Sequence, residues 1–376
     1  MSEHLAKPIF VLQRILPDYR EGFYAALKER LPSNFVVTNG IDKFTQALGA
    51  LRKSNGWILP IKNTYFLGNR LLWQSGHLQK ILDTPLLVAE LNPRILSTWM
   101  VLLLRRLLSR PSVVWGHSRS LGERPPLIAS LRFWQCRLAG AVLAYTFTQA
   151  EEFRIRLPTL PIFVAPNSCV SSNMCVAQDG AQAVDVLYVG RLIPEKKVDL
   201  LLKGFATVAK RIPLESKLKL VGDGPERLRL EALTAKSGAS QRIEFLGHVT
   251  DETRLSSLYA GAACSVSPGY AGLSVIQSLA HGVPILVAVG EHHSPEIEAC
   301  IDNTTARFFG SDSVEALGNE LTFFFENLPA WQARRRKIAD FIANQYTFEG
   351  MASNFVAMVK TLVPQLSGPE CGSLNL

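Results

Sequence analysis

The chain has 376 residues, enough for two domains of about 150–200 residues each, and its 47% hydrophobic and 19% charged content excludes a disordered or fibrous protein. Residues 1–170 carry 21 Lys and Arg against 10 Asp and Glu, net +11, whereas residues 171–376 carry 19 against 22, net −3. A cationic front half points to an anionic partner: nucleic acid, anionic lipid headgroups or a phosphate-bearing substrate.

In chain order, residues 8–32 read as a buried strand, a loop at Leu16-Pro17-Asp18-Tyr19 and an amphipathic helix ending near Leu31-Pro32. Apolar runs at Phe35–Val37, Pro85–Ala89, Val113–Trp115 and Ala141–Tyr145, separated by stretches of helical spacing, predict parallel strands with crossover helices. Between Ile162 and Gln182 the pattern dissolves into a Ser-, Asn- and Gly-rich run that reads as a linker. A second series follows, with strands at Asp185–Val189, Leu218–Gly222, Ile243–Leu246, Ala263–Ser267 and Ile285–Ala288. Helices are expected between them at Lys197–Lys210, Pro225–Ser237, Asp251–Tyr259 and Val275–Gly282. Residues 331–362 read as two helical segments broken near Gln345-Tyr346-Thr347, and 365–376 as a loose tail. The expected fold class is therefore α/β with two doubly wound, Rossmann-like domains facing a central cleft. The expected boundaries are 1–165, a linker over 166–184, a second domain over 185–345, and a C-terminal helix and tail over 346–376 that packs back on the first domain.

Cys136, Cys169, Cys175, Cys264, Cys300 and Cys371 form no C-x-x-C pair and have no clustered His, which reads as reduced thiols without a metal site. The charge-free run Ile95–Leu104 is about half of the roughly 20 residues that a spanning helix needs. Glu3 stands where a secretory leader would carry basic residues, so the expected location is cytoplasmic.

Three segments of the second series carry chemistry. After the strand at 185–189, Gly190 makes a turn and Arg191 and Lys196 flank a helix start, where N–H groups and two cations suit a diphosphate. Gly222-Asp223-Gly224-Pro225 is a tight strand-to-helix turn that lets backbone approach a ligand. Pro268-Gly269-Tyr270-Ala271-Gly272 leads to a helix carrying Gln277, with N–H groups of Gly272, Leu273 and Ser274 at its start. Each segment also admits a plainer reading as surface charge, ordinary turn or ordinary cap.

Together these motifs resemble the GT-B glycosyltransferases of family 4. The resemblance rests on Gly190-Arg191-Leu192 with Lys196 and Asp199, Leu220-Val221-Gly222-Asp223-Gly224-Pro225, Phe245-Leu246-Gly247, Gly272-Leu273 with Ala280, Gly282 and Pro284, and Pro295-Glu296-Ile297. It implies a retaining transferase in which Arg191 and Lys196 hold the diphosphate of a nucleotide-sugar and the loop Gly269 to Leu273 meets the sugar through backbone N–H groups. The family's two glutamates fall on Gly269 and Gln277, so neither carboxylate is present. The front half resembles bacterial members through Ile15-Leu16-Pro17-Asp18-Tyr19-Arg20, Leu91-Asn92-Pro93-Arg94, Trp115-Gly116-His117 and Ala165-Pro166-Asn167, and His117 matches an active-site histidine facing the donor sugar.

The absent carboxylates argue for front-face substitution rather than double displacement, and the two cations, with no Asp-x-Asp pair nearby, for activity without a metal or other cofactor. Expected partners are a nucleotide-sugar donor, a saccharide or lipid-linked acceptor in cell-surface polysaccharide, lipopolysaccharide or glycolipid synthesis, and an anionic membrane surface. The candidate membrane or acceptor patch is Arg105, Arg106 and Arg110 beside the apolar run 100–104, with Arg132 and Arg137 beside Phe133 and Trp134. The rivals are an epimerase or phosphorylase on the same architecture, a catalytically impaired sugar-nucleotide sensor or scaffold, and a nucleic-acid binder. The last lacks a basic stripe interleaved with stacking aromatics.

Overall fold

The computed structural model describes residues 7–31, 35–40, 56–119, 126–177 and 183–366, with 126–129 and 366 described for the backbone only. Glu3, Pro32, residues 178–182 of the expected linker, and the tail from 367 with Cys371 lie outside the described residues. The chain divides into two compact units, Met1–Ser168 with Phe348–Leu376, and Cys169–Thr347.

The first unit runs β1 (Ile9–Leu12), α1 (Glu21–Arg30), β2 (Phe35–Gly40), β3 (Ile58–Phe66), β4 (Leu71–Ser75), α2 (Leu78–Asp83), β5 (Leu87–Glu90), α3 (Leu96–Leu107), β6 (Ser112–Gly116), α4 (Pro126–Ala139), β7 (Val142–Ala144), α5 (Phe147–Arg156) and β8 (Ile162–Val164). Its sheet has the order β4-β3-β2-β1-β5-β6-β7-β8 and is parallel except for the β3–β4 hairpin. The central strands are apolar on both sides because helices cover both faces. One face packs on α1 and, through Met351, Phe355 and Met358, on the helix Phe348–Leu362 at the far end of the chain. The Phe23 ring there meets Trp115 at 5.7 Å and Phe355 at 6.0 Å. The other face packs on α3, α4 and α5 through Val101, Leu102, Cys136 and Phe153.

The second unit runs β9 (Asp185–Val189), α6 (Val198–Val208), β10 (Leu218–Val221), α7 (Arg227–Ala235), β11 (Ile243–Gly247), α8 (Glu252–Ala260), β12 (Ala262–Ser267), α9 (Ser274–Ala280), β13 (Ile285–Val289), β14 (Ala306–Gly310), α10 (Val314–Glu326), α11 (Leu328–Gln332) and α12 (Arg335–Gln345). Its sheet order β11-β10-β9-β12-β13-β14 is wholly parallel. In strand count this is 3-2-1-4-5-6, a doubly wound sheet whose order reverses between β9 and β12, the place where such sheets bind ligands. The helix Phe348–Leu362, α13, then returns to the first unit. Among the described residues no helix is long and apolar enough to cross a membrane, and the five described cysteines are free thiols.

Two sequence readings are corrected here. Ile162–Val164 is the edge strand β8, paired with β7, and not the start of a linker. Arg105 is no surface cation: it is 0% exposed. Its Nη1 donates to the carbonyls of Ile81 (2.8 Å), Leu82 (3.1 Å) and Thr84 (3.0 Å), its Nη2 to Pro111 O (2.6 Å) and its Nε to Ser112 Oγ (2.9 Å). The side chain closes the C-terminal end of α2, whose last carbonyls lack intrahelical partners and favour a cation.

Candidate functional site

The chain leaves β9 through Gly190-Arg191-Leu192 and is crossed there by the turn Gly222–Pro225 after β10. Leu192 N–H donates to Asp223 O (2.9 Å) and Glu226 N–H to Leu192 O (3.1 Å). Gly222 has φ +136°, and a Cβ there would lie 1.8 Å from Gly190 O; one at Gly224 would lie 2.3 Å from Leu192 O. The sequence reading gave these glycines to a ligand; the same missing Cβ atoms let two of the protein's own carbonyls pack against the turn. The turn therefore fixes the path of Arg191. Asp223 holds the same turn, its Oδ1 accepting from Gly224 N–H at 2.8 Å.

Lys196 closes the 3₁₀ turn Pro194–Lys196, and Lys197 follows in the left-handed region at φ 48°. That reversal sends the two neighbouring side chains apart. Lys197 Nζ is neutralised by Glu291 (2.6 Å) and Asp312 (2.8 Å). Lys196 Nζ instead donates to Tyr270 O at 2.7 Å and sits 4.6 Å from the centroid of the Tyr270 ring. Burial, reinforced by the charge of Arg191, pulls the Lys196 pKa down to about 8. Among the described residues neither Arg191 nor Lys196 pairs with a carboxylate. Two cations without counter-ions thus stand at the switch point of a doubly wound sheet.

Opposite them lies the loop after β12. Tyr270 N–H donates to Glu195 O (2.9 Å), and a Cβ on Gly269 would lie 2.4 Å from that same oxygen. Ala271 N–H donates to His293 Nδ1 at 3.1 Å, which leaves the His293 proton on Nε2, donated to Ala288 O at 2.7 Å. Burial lowers the pKa of His293, consistent with a neutral ring in this role. Ser294 adds a backbone bond to Ala271 O (2.9 Å) and a hydroxyl contact with Tyr270. Two of the amides assigned to the sugar are therefore already engaged. Those of Gly272, Leu273 and Ser274 find no acceptor among the described residues. Gln277 lies on α9, its Oε1 accepting from the buried Tyr259 hydroxyl at 3.4 Å. His293 and Ser294 went unassigned in the sequence; the only signal was a His pair between a strand end and Pro295-Glu296-Ile297.

His117 belongs to the first unit and follows β6. Its Nδ1 is 3.2 Å from Gln149 Oε1, so Nδ1 carries the proton and Nε2 the lone pair. Its ring centroid is 4.6 Å from that of Tyr145. Burial is the main cause that lowers its pKa to about 4; Gln149 raises it, and Arg20 and Arg132 lower it. Arg20 is itself buried between Trp115 (4.7 Å) and Tyr145 (4.9 Å). Arg132 is the second correction to the expected surface patch. It is buried and donates through Nη1 to His117 O (2.9 Å) and Leu91 O (3.2 Å), so it holds the histidine in place. A native pKa below the unfolded value of about 6.5 means the unfolded chain binds more protons. This group's contribution to stability is full above pH about 6.5 and declines as pH falls toward 4, which denaturant melts across that window will read.

Residues 180–341, nearly all of the second unit, match the family model described as Glycosyl transferases group 1. A GDP-mannose-dependent alpha-(1-6)-phosphatidylinositol dimannoside mannosyltransferase of Mycobacterium tuberculosis is 31% identical over 156 residues, covering 39% of this chain and 40% of that protein. The chain spans less than half the length of the first curated relatives it matches. Among solved structures, sucrose-phosphate synthase from Thermosynechococcus elongatus superposes with a TM-score of 0.67 at 19% identity, covering 96% of this chain and all of the other. HepE of Anabaena in complex with UDP gives 0.67 at 16%, covering 94% of this chain and all of the other. These likenesses show the fold: the chain has the two Rossmann-like units of the GT-B glycosyltransferases.

Proposed function

We propose that the chain is a retaining glycosyltransferase of the family 4 type, moving a sugar from a nucleoside-diphosphate-sugar to a hydroxyl of a saccharide or lipid-linked acceptor in cell-surface polysaccharide or glycolipid synthesis. The observation that carries this reading is the pair Arg191 and Lys196, uncompensated by any described carboxylate, at the switch point of the second sheet. The group 1 match over that unit supports it, as do relatives whose own names specify GDP-mannose or UDP-N-acetylglucosamine.

In the front-face reaction the C1–O bond to the diphosphate breaks while the acceptor oxygen bonds C1 on the same face. Arg191 and Lys196 take up the charge of the departing diphosphate, whose oxygen receives the acceptor's proton. Gly269 offers no carboxylate for a double displacement, and the role that the resemblance gives His117 would be filled by a neutral imidazole. The two cations take the place of a divalent metal, so EDTA leaves the rate unchanged; a rate abolished by EDTA and restored by Mn²⁺ overturns that part.

The test is a thermal-shift screen against UDP-, GDP- and ADP-sugars without metal, on the wild type and on Arg191→Ala with Lys196→Ala. A donor at a hundred times its Kd stabilises the wild type by about 2.7 kcal/mol, and the double variant should lose this. No shift with any nucleotide rejects the reading. Shift without turnover on any acceptor turns it into the second reading, a sugar-nucleotide sensor or scaffold, which the missing carboxylates at Gly269 and Gln277 favour.

Lys196 adds a pH dependence. The protonated amine binds the diphosphate, so affinity is level below pH about 7 and falls as pH rises through about 8, by at most about ten-fold per unit. Lys196→Arg should abolish this slope in titrations of nucleotide binding, and a slope that persists assigns it elsewhere.

A further inference from the structure

We propose that the outer face of α3 and α4 in the first unit is a docking surface for an anionic lipid bilayer. The inference stands on this surface alone and is independent of the donor site. α3, with the sequence LSTWMVLLLRRL, turns Thr98, Val101, Leu102 and Arg105 inward, yet its opposite stripe, Leu96, Leu103 and Leu107, is also apolar and exposed. A surface helix normally carries polar residues on that stripe, so an apolar one marks a contact. Leu107 is 74% exposed and Leu108 just beyond it 54%.

The neighbouring α4 continues the ridge with Leu131 and Trp134, the latter 61% exposed. The two helices are tied at their C-terminal ends, Arg106 Nη1 donating to Arg137 O at 3.0 Å, while the Arg137 guanidinium lies 5.4 Å from the Trp134 ring. Next to them, α5 places Arg156 5.1 Å from Phe133 and leaves Ile155 exposed.

Charge selects the occupant. Neither α3 nor α4 contains an aspartate or glutamate, and the cations that reach the surface are Arg106, Arg137 and, paired with Asp83, Arg110. Arg106 and Arg110 also line a recess of about 340 Å³ with Pro111, Leu138 and Leu362 at the same end. Leucines and a tryptophan flanked by arginines, on two helices that carry no carboxylate of their own, fit the boundary between acyl chains and anionic headgroups, where tryptophan settles and arginine snorkels. This surface differs from the one expected from sequence: Arg105 and Arg132 drop out, Trp134 stays, and the exposed Leu96, Leu107, Leu108 and Leu131 enter.

The test is co-sedimentation of the full chain with phosphatidylcholine vesicles, with and without phosphatidylglycerol. The wild type should pellet only with the anionic vesicles. Leu107→Gln with Trp134→Gln should weaken partitioning on the order of ten-fold or more, and Arg106→Gln with Arg137→Gln about five-fold per charge removed, the latter loss shrinking at high salt. All four side chains are exposed, so melting temperatures and nucleotide binding should stay at wild-type values. Equal pelleting with neutral vesicles, wild-type partitioning of the variants, or concentration-dependent self-association that the Leu107/Trp134 variant abolishes would each overturn the proposal, the last assigning the face to a second copy of the chain.

Discussion

Gly269→Glu, which writes into the loop the first of the two carboxylates that family 4 glycosyltransferases carry there, should cost stability and nucleotide binding rather than add activity. The φ of Gly269 is not in the left-handed region; the obstacle is proximity alone. A Cβ would lie 2.4 Å from Glu195 O, 2.9 Å from the Lys196 carbonyl carbon and 3.1 Å from the Lys196 oxygen, all backbone atoms of the turn that aims Lys196. The turn and the loop are joined there by the Tyr270 N–H bond to Glu195 O and the Lys196 Nζ bond to Tyr270 O, so relief of the clash breaks both. Overpacking of this kind costs about 1–3 kcal/mol, and backbone atoms that cannot rotate away place it toward the upper end. Gly269→Ala should lose nearly as much, because the first carbon does the damage. Gln277→Glu is the contrasting case: its side chain is half-buried and accepts one bond from Tyr259, which a carboxylate accepts equally well. Thermal melts of the three variants with nucleotide titrations decide the matter. A Gly269→Glu protein as stable as the wild type and tighter for its donor would sink the idea.

The second unit was the more legible of the two for a physical reason. Its strands are apolar on both faces and alternate with helices, so runs such as Asp185–Val189 and Ala262–Ser267 stand out without help from pairing. The β3–β4 hairpin left no such mark, since Ile58–Phe66 mixes apolar with polar residues and its hairpin partner β4 is the sheet edge. β8 is three residues long and merges into the loop that follows. At the site, residue type gave the cations but not their partners. Lys196 and Lys197 are alike in sequence, and only the left-handed backbone at 197 decides which one faces the loop. His293 reaches Ala271 across 22 positions, a contact that spacing does not encode.

Arg105 is the place where the sequence held a signal that charge alone obscured. It lies four residues after Val101 and seven after Thr98, on the buried stripe of α3, whereas Arg106 is one step off that stripe. Arg105→Met, which keeps the volume and removes the donors, should therefore be among the most damaging single changes in the first unit. It strips hydrogen bonds from the carbonyls of Ile81, Leu82, Thr84 and Pro111, of which Leu82 keeps a second donor in Arg110 and Pro111 one in the Leu87 N–H. A buried acceptor left unsatisfied costs about 1–3 kcal/mol, and relaxation recovers part of the sum, so a loss of about 3–5 kcal/mol is expected, roughly 10 °C in melting temperature for a unit of this size. Arg106→Met should shift the melt by no more than about 0.5 kcal/mol, as exposed substitutions do. If the two variants melt alike, Arg105 is no cap, and the C-terminal end of α2 is held by Arg110 and Asp83 instead.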